Sequence, residues 1–149
     1  MGIADDALEV RAQGWRTLAA LHDFIETELE RSLSKQAGLS VVEYTVLDAL
    51  SRQHGWHMRM QQLARASALS PSATTRLVNR LEERGLLTRV LCDDDRRGIY
   101  TELTAAGHRL LDTARPIHDD ALERALAGAH EVPELATLIS ALPQLALVH

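Results

Sequence analysis

The chain has 149 residues, 46% of them hydrophobic, a single cysteine and a net charge of −5 at pH 7. That size and composition supply one domain's worth of core and exclude a disordered chain, while one cysteine excludes an internal disulfide framework and fits a reducing compartment. Asp5, Asp6 and Glu9 precede any apolar run and no stretch reaches membrane-spanning length, so neither a signal peptide nor a membrane partner is expected and the chain reads as cytoplasmic.

From Leu8 to Leu33, the residues Trp15, Leu18, Leu21, His22, Ile25 and Leu29 recur at helical spacing and predict a long helix, with Gly38 beyond its end as the stop. Ser40 is placed to cap a second helix carrying Val42, Val46, Leu47 and Leu50. Residues 60–66 predict a short helix with Leu63 and Ala64 turned inward, and 67–70 a tight connection. Ser70 then caps a helix whose first residue is Pro71, a position where the missing N–H costs nothing. At 100° per residue, Thr74, Leu77, Val78 and Leu81 share one face, while Ser72, Arg76, Asn79 and Glu83 share the other. The second face carries hydroxyl, amide and guanidinium groups and begins at a helix N-terminus, where backbone N–H groups favour phosphate. Two short helices joined by a tight turn, the second with such a face, predict a helix-turn-helix entering a DNA major groove. An ordinary solvated helix face has the same look when taken alone, so the neighbouring elements decide.

Downstream, 87–91 and 99–103 alternate in character and predict two strands separated by seven polar residues, Cys92 to Gly98. A hairpin with that charged tip is a wing, able to lay Arg96 or Arg97 into a minor groove, with Asp95 holding one of them in place. Thr104 is placed to cap another long helix, which Pro116 is expected to kink or interrupt. The tail over 132–148 repeats Leu135, Leu138, Ile139, Leu142 and Leu145. These terminal helices are too apolar to stand bare, which makes mutual burial across a two-fold axis the economical arrangement. A dimer places its recognition helices about 34–36 Å apart, one DNA turn, and requires a pseudo-palindromic operator. Charge is distributed accordingly: residues 59–97 hold eight arginines against five acids, +3, while the flanking segments are each −4. The local patch, rather than the total, governs phosphate attraction.

The run from Leu39 to Leu111 resembles the multiple-antibiotic-resistance-regulator (MarR) family of bacterial winged-helix transcription factors. The resemblance rests on Leu39-Ser40-x-x-Glu43-Tyr44-x-x-Leu47, on the helix from Ser70 to Leu81 with Glu82-Glu83-Arg84-Gly85-Leu86 after it, on Asp95-Arg96-Arg97, and on Leu103-Thr104-x-x-Gly107. Each motif is weak separately; in this order and spacing they are specific. The resemblance implies a mainly α fold with a small β-hairpin wing: a winged helix-turn-helix lobe over 39–107, with dimerisation helices over 1–36 and 108–149. It further implies a symmetric homodimer on double-stranded DNA, most often a repressor, and often release by a small molecule. Ser70, Ser72, Thr75, Arg76, Asn79 and Arg80 are then the expected major-groove residues, and Arg96 and Arg97 the minor-groove ones. An aromatic acid as effector would involve Trp15, Arg16, His22 and Tyr44, an aromatic and cationic set, although Trp15 and Tyr44 read equally well as large core residues.

Catalytic chemistry is not legible. His54 and His57 have no cysteine or acidic partner at zinc-site spacing and read as surface or loop histidines, and Cys92 reads as structural because the family's reactive thiols usually lie in the N-terminal helix. No nucleophile triad, phosphate loop or carboxylate pair is present, so no enzyme activity, cofactor or metal is expected. The remaining alternative is a winged helix acting as a protein-interaction adaptor, its arginines ordinary surface charge.

Overall fold

A long first helix, α1 (Ile3–Ala37), ends at Gly38, whose φ of +64° is the left-handed conformation that glycine adopts without a Cβ penalty. The computed structural model describes residues 3–92 and 95–146, with side chains described for 6–91 and 98–146. After α1 come α2 (Val41–Ser51), a single 3₁₀ turn (His54–Trp56), β1 (His57–Arg59), α3 (Met60–Ala66), α4 (Pro71–Glu83), β2 (Leu87–Cys92), β3 (Asp95–Leu103), α5 (Ala105–His130) and α6 (Pro133–Leu145). The architecture is mainly α with one small antiparallel sheet, a winged helix-turn-helix with long terminal helices. The chain divides into two compact units, Leu33–Ile117 and the described parts of Met1–Ser32 with His118–His149.

Within Leu33–Ile117, α2 starts with a reciprocal capping box: Glu43 N–H donates to Ser40 Oγ at 3.1 Å, and Ser40 N–H donates to Glu43 Oε1 at 2.9 Å. Its buried residues are Val41, Tyr44, Val46, Leu47 and Leu50. Val42, expected among them, is 38% exposed and Val41 takes its place. A helix this rich in apolar residues has two plausible faces, and the neighbours choose. Leu47 and Leu50 are fully buried, each contributing about 2 kcal/mol of transfer free energy.

The sheet has the order β1-β3-β2. Its edge strand β1 was not expected, because three residues are too few to display an alternation. It places His57, read as a surface or loop residue, in the sheet opposite Glu102. The wing also departs from the seven-residue tip. Leu91 pairs with Ile99 but Cys92 pairs with Asp95, a register shift that extends both strands and leaves Arg96, Arg97 and Gly98 between two paired positions.

The link between α4 and α5 is tightly built. The α4 C-terminus closes in a Schellman motif, with Leu86 N–H donating to Leu81 O at 3.0 Å and Gly85 N–H to Glu82 O at 2.9 Å, while Gly85 holds φ +75°. Thr104 N–H donates to Leu86 O at 3.1 Å and its hydroxyl to Gly85 O at 2.7 Å, and that same hydroxyl caps α5 by accepting Gly107 N–H at 3.0 Å. A Cβ on Gly107 would lie 2.2 Å from Leu86 O. Further along, α5 is not interrupted at Pro116. Pro116 is exposed, so the Asp112 carbonyl that loses its partner is on the solvent side, and buried Leu111, Ala114, Ala121 and Ala125 hold the turns before and after it.

In the other unit, Leu21, Ala129 and Leu135 form a buried cluster against which Ile25, Leu138 and Ile139 pack. Glu28 accepts from Arg124 Nη2 at 3.2 Å and pairs with Arg31, while Arg124 also donates to Ser32. Leu8, Val10, Trp15 and Leu18 of α1 are exposed. The tail helix ends at Leu145, and Val148 lies outside the described residues.

Gly107→Ala is expected to lower stability by about 1–3 kcal/mol through overpacking against a backbone carbonyl. Urea denaturation measures it, and an unchanged midpoint would mean that the turn yields without cost.

Candidate nucleic-acid interface

The helix-turn-helix is built from two backbone motifs. At the end of α3, Leu69 N–H donates to Ala64 O at 2.9 Å and Ala68 N–H to Arg65 O at 3.2 Å, the two bonds of a Schellman motif. The left-handed position of that motif is filled by Ala68, at φ +54°, where glycine is the unstrained residue. At the start of α4, Ser70 Oγ accepts Ala73 N–H at 3.2 Å and Pro71 occupies the first turn. Since Pro71 has no N–H and Ala73 is capped, the Ser72 N–H is the first-turn donor that the cap leaves over.

Thr74, Leu77, Val78 and Leu81 are buried, so the inward face of α4 is the one its periodicity gives. Thr74 satisfies its hydroxyl by donating to Ser70 O at 2.9 Å. Ser70, Ser72, Thr75, Arg76, Asn79 and Arg80 are all exposed, gathered along the outer side of the helix. Thr75 donates back to Pro71 O at 3.0 Å. Among the described residues, Arg76 and Arg80 have no ion pair. Open grooves run along both flanks of α4, one of about 570 Å³ lined by Ser40, Val42, Arg76, Asn79 and Arg80, the other of about 420 Å³ lined by Gln61, Arg65, Pro71 and Thr75. A helix must stand clear of its neighbours in this way to enter a groove about 12 Å wide.

Two residues of this surface went unread in the sequence. Arg65, on α3, is exposed beside the second groove. Arg89, on β2, donates from Nη2 to Asn79 Oδ1 and sits 3.9 Å from Glu82. Strand alternation puts Arg89 on a definite side of β2, but nothing in periodicity says that its reach ends at Asn79.

The wing arginines Arg96 and Arg97, together with Asp95, belong by backbone to β3, and Cys92 to β2; their side chains lie outside the described residues. On β1, Arg59 stacks over the Tyr100 ring at 5.5 Å, and His57 meets the same ring edge-on at 4.8 Å. Among the described residues, no three His, Cys, Asp or Glu side chains are grouped to hold a metal ion. Trp15 is 67% exposed, Arg16 donates to Glu9 and Gln13 at 2.9 Å each, and His22 is exposed 3.6 Å from Glu26. Tyr44 is buried in the other unit, on α2.

An exposed polar helix standing on a helix-turn-helix, followed by a two-stranded wing, defines a winged-helix protein. The MarR family model matches residues 37–98. Among curated proteins, the HTH-type transcriptional regulator YkoM of Bacillus subtilis is 32% identical over 95 residues, 64% of this chain and 60% of that protein. The transcriptional repressor MdtR of the same organism is 34% identical over 91 residues, 61% of this chain and 57% of that protein. These matches thus span less than two thirds of either relative. Among solved structures, the MarR family regulator AbsC of Streptomyces coelicolor is 30% identical with a TM-score of 0.74, covering 91% of this chain and 90% of that one. Sco3205, a MarR family regulator from the same organism solved in complex with DNA, is 28% identical at a TM-score of 0.74, covering 91% and 85%. The chain belongs to the MarR family.

Ala68→Gly is expected to raise stability by up to about 1 kcal/mol, since relief of the left-handed strain exceeds the added unfolded-state entropy. Thermal melting checks it; a lower melting point would show that the turn carries no strain.

Proposed function

We propose that this protein is a homodimeric transcriptional regulator, a repressor, that binds a pseudo-palindromic operator through α4 and its wing. One observation carries the reading: the outer face of α4 is exposed along its length and carries Arg76 and Arg80, which have no ion pair among the described residues, between two open grooves. The DNA-bound state of Sco3205 and the repressor function of MdtR support it by kinship. Residues 39–107 are the DNA-binding lobe in this reading, and the helices of 1–36 and 108–149 are the dimerisation elements. The exposed Leu8, Val10, Trp15 and Leu18 are the kind of surface that a second copy covers.

Ser72, Thr75, Arg76 and Asn79 face base edges, Ser70 and Arg80 position the helix against phosphates, and Arg96 and Arg97, supported by Asp95, take the minor groove. A small aromatic anion as effector releases DNA only by favouring a dimer with the wrong spacing of recognition helices. No helix among the described residues is long and apolar enough to cross a membrane.

The test is fluorescence anisotropy on DNA from upstream of the protein's own gene, against scrambled DNA, across a salt series. Preferential binding with log affinity falling linearly in log salt is the expected result. Equal weak binding to both, repeated on sites drawn from a random pool, would favour an adaptor. Arg76→Ala is expected to cost about 1–3 kcal/mol and relax sequence preference, whereas Arg97→Ala weakens all sequences alike and flattens the salt slope. Equal loss of discrimination in both variants would overturn this division of labour.

A further inference from the structure

We propose that Arg89 is a specificity-determining residue: it orients the amide of Asn79 and sets a guanidinium against its carbonyl, so that this position favours a base edge with two acceptors and selects guanine over adenine at one base of each half-site. The inference rests on the DNA-binding reading above.

Arg89 stands on β2 opposite Thr101 of β3, and its guanidinium crosses to α4. There Nη2 donates to Asn79 Oδ1, while Nη1 lies 3.9 Å from Glu82 Oε1, three residues further along the same helix. The side chain is thus held at two points. An arginine has five N–H donors and no acceptor, so its partner atom on Asn79 is necessarily the carbonyl oxygen. The orientation of that amide is therefore dictated by chemistry.

The consequence follows from what bases present in a major groove. Adenine offers an acceptor at N7 and an amino donor at N6, and an asparagine reads the pair by donating to N7 while its carbonyl accepts from N6. Asn79 has its carbonyl engaged by a guanidinium, so an incoming N6 amino group meets positive charge and another donor. Guanine offers two acceptors, O6 and N7, which match the Asn79 amide N–H and the N–H groups that Arg89 has left. Accepting a charged hydrogen bond also polarises the amide and strengthens its N–H as a donor. Asn79 alone is an adenine reader; Asn79 with Arg89 is a guanine reader.

Binding sites selected from a random duplex pool, using the full chain, test this. The wild type is expected to show one position per half-site where guanine is favoured over adenine by about tenfold, a preference lost in Asn79→Ala. In Arg89→Ala the freed amide shifts that same position toward adenine and leaves the rest of the site unchanged. Arg89→Lys keeps the charge without the fork, and is expected to lose most of the guanine preference while retaining the wild-type salt slope and melting point. This second variant carries the comparison if Arg89→Ala folds poorly. Uniform weakening across all sequences with every preference intact, or adenine at the Asn79-dependent position of the wild type, would overturn the proposal. A wild-type chain that selects no sequence overturns the DNA-binding reading itself, a failure visible before any substitution is made.

Discussion

The rest of the winged-helix unit depends on the contact between the turn after α4 and the head of α5. Thr104 is its centre: its N–H and hydroxyl satisfy the carbonyls of Leu86 and Gly85, and the hydroxyl caps α5 through Gly107. Only a glycine at 107 lets the two backbones approach this closely. Because β2 begins immediately after that turn and β3 ends immediately before Thr104, the Leu87–Leu103 pair closes the sheet on the same point. The recognition helix and the wing are thereby fixed to each other at one end, and the crossing of Arg89 to Asn79 is possible because the strand leaves the turn in a set direction. Two sequence motifs that look independent, Arg84-Gly85-Leu86 and Leu103-Thr104-x-x-Gly107, are the two halves of one joint.

Charge follows the same division between framework and working surface. Two acids in and near the basic segment are placed against particular arginines: Glu82 lies beside Arg89, and Glu43 binds Arg84. These arginines hold parts of the lobe together. Arg76 and Arg80, with no such partner among the described residues, face outward along α4. A net charge of −5 is compatible with a locally cationic face, because the acidic excess lies in the flanking segments.

What could be read from the sequence was whatever repeats over several turns or rests on a cap. The inward face of α4, the Ser70 and Thr104 caps and the Gly38 stop are all local features, and each is found where it was expected. The exchange of Val42 for Val41, the third strand and the wing register depend on partners distant in sequence, which periodicity does not encode. Of the two outcomes expected at Pro116, interruption does not occur: the carbonyl it frees, on Asp112, is on the exposed side, and buried residues hold the turns before and after it. At the interface, the angle of Asn79 on its helix was legible, but its hydrogen-bond state was not. That state is set by a residue ten positions on, across a turn, whose reach depends on the joint at Thr104.

The carboxylate of Glu43 also has both oxygens engaged: Oε1 accepts the Ser40 N–H in the capping box, and Oε2 accepts from Arg84 Nη1 at 3.3 Å. Arg84 is the C-cap residue of α4, so one side chain takes part in the cap of α2 and also touches the residue that follows the last turn of α4. Helix ends ordinarily fray one at a time, each with its own small opening free energy. Glu43 adds a side-chain tie between two ends that are each already closed, α2 by its capping box and α4 by its Schellman motif, so loss of this tie is expected to loosen both ends slightly while each keeps its own closing bonds.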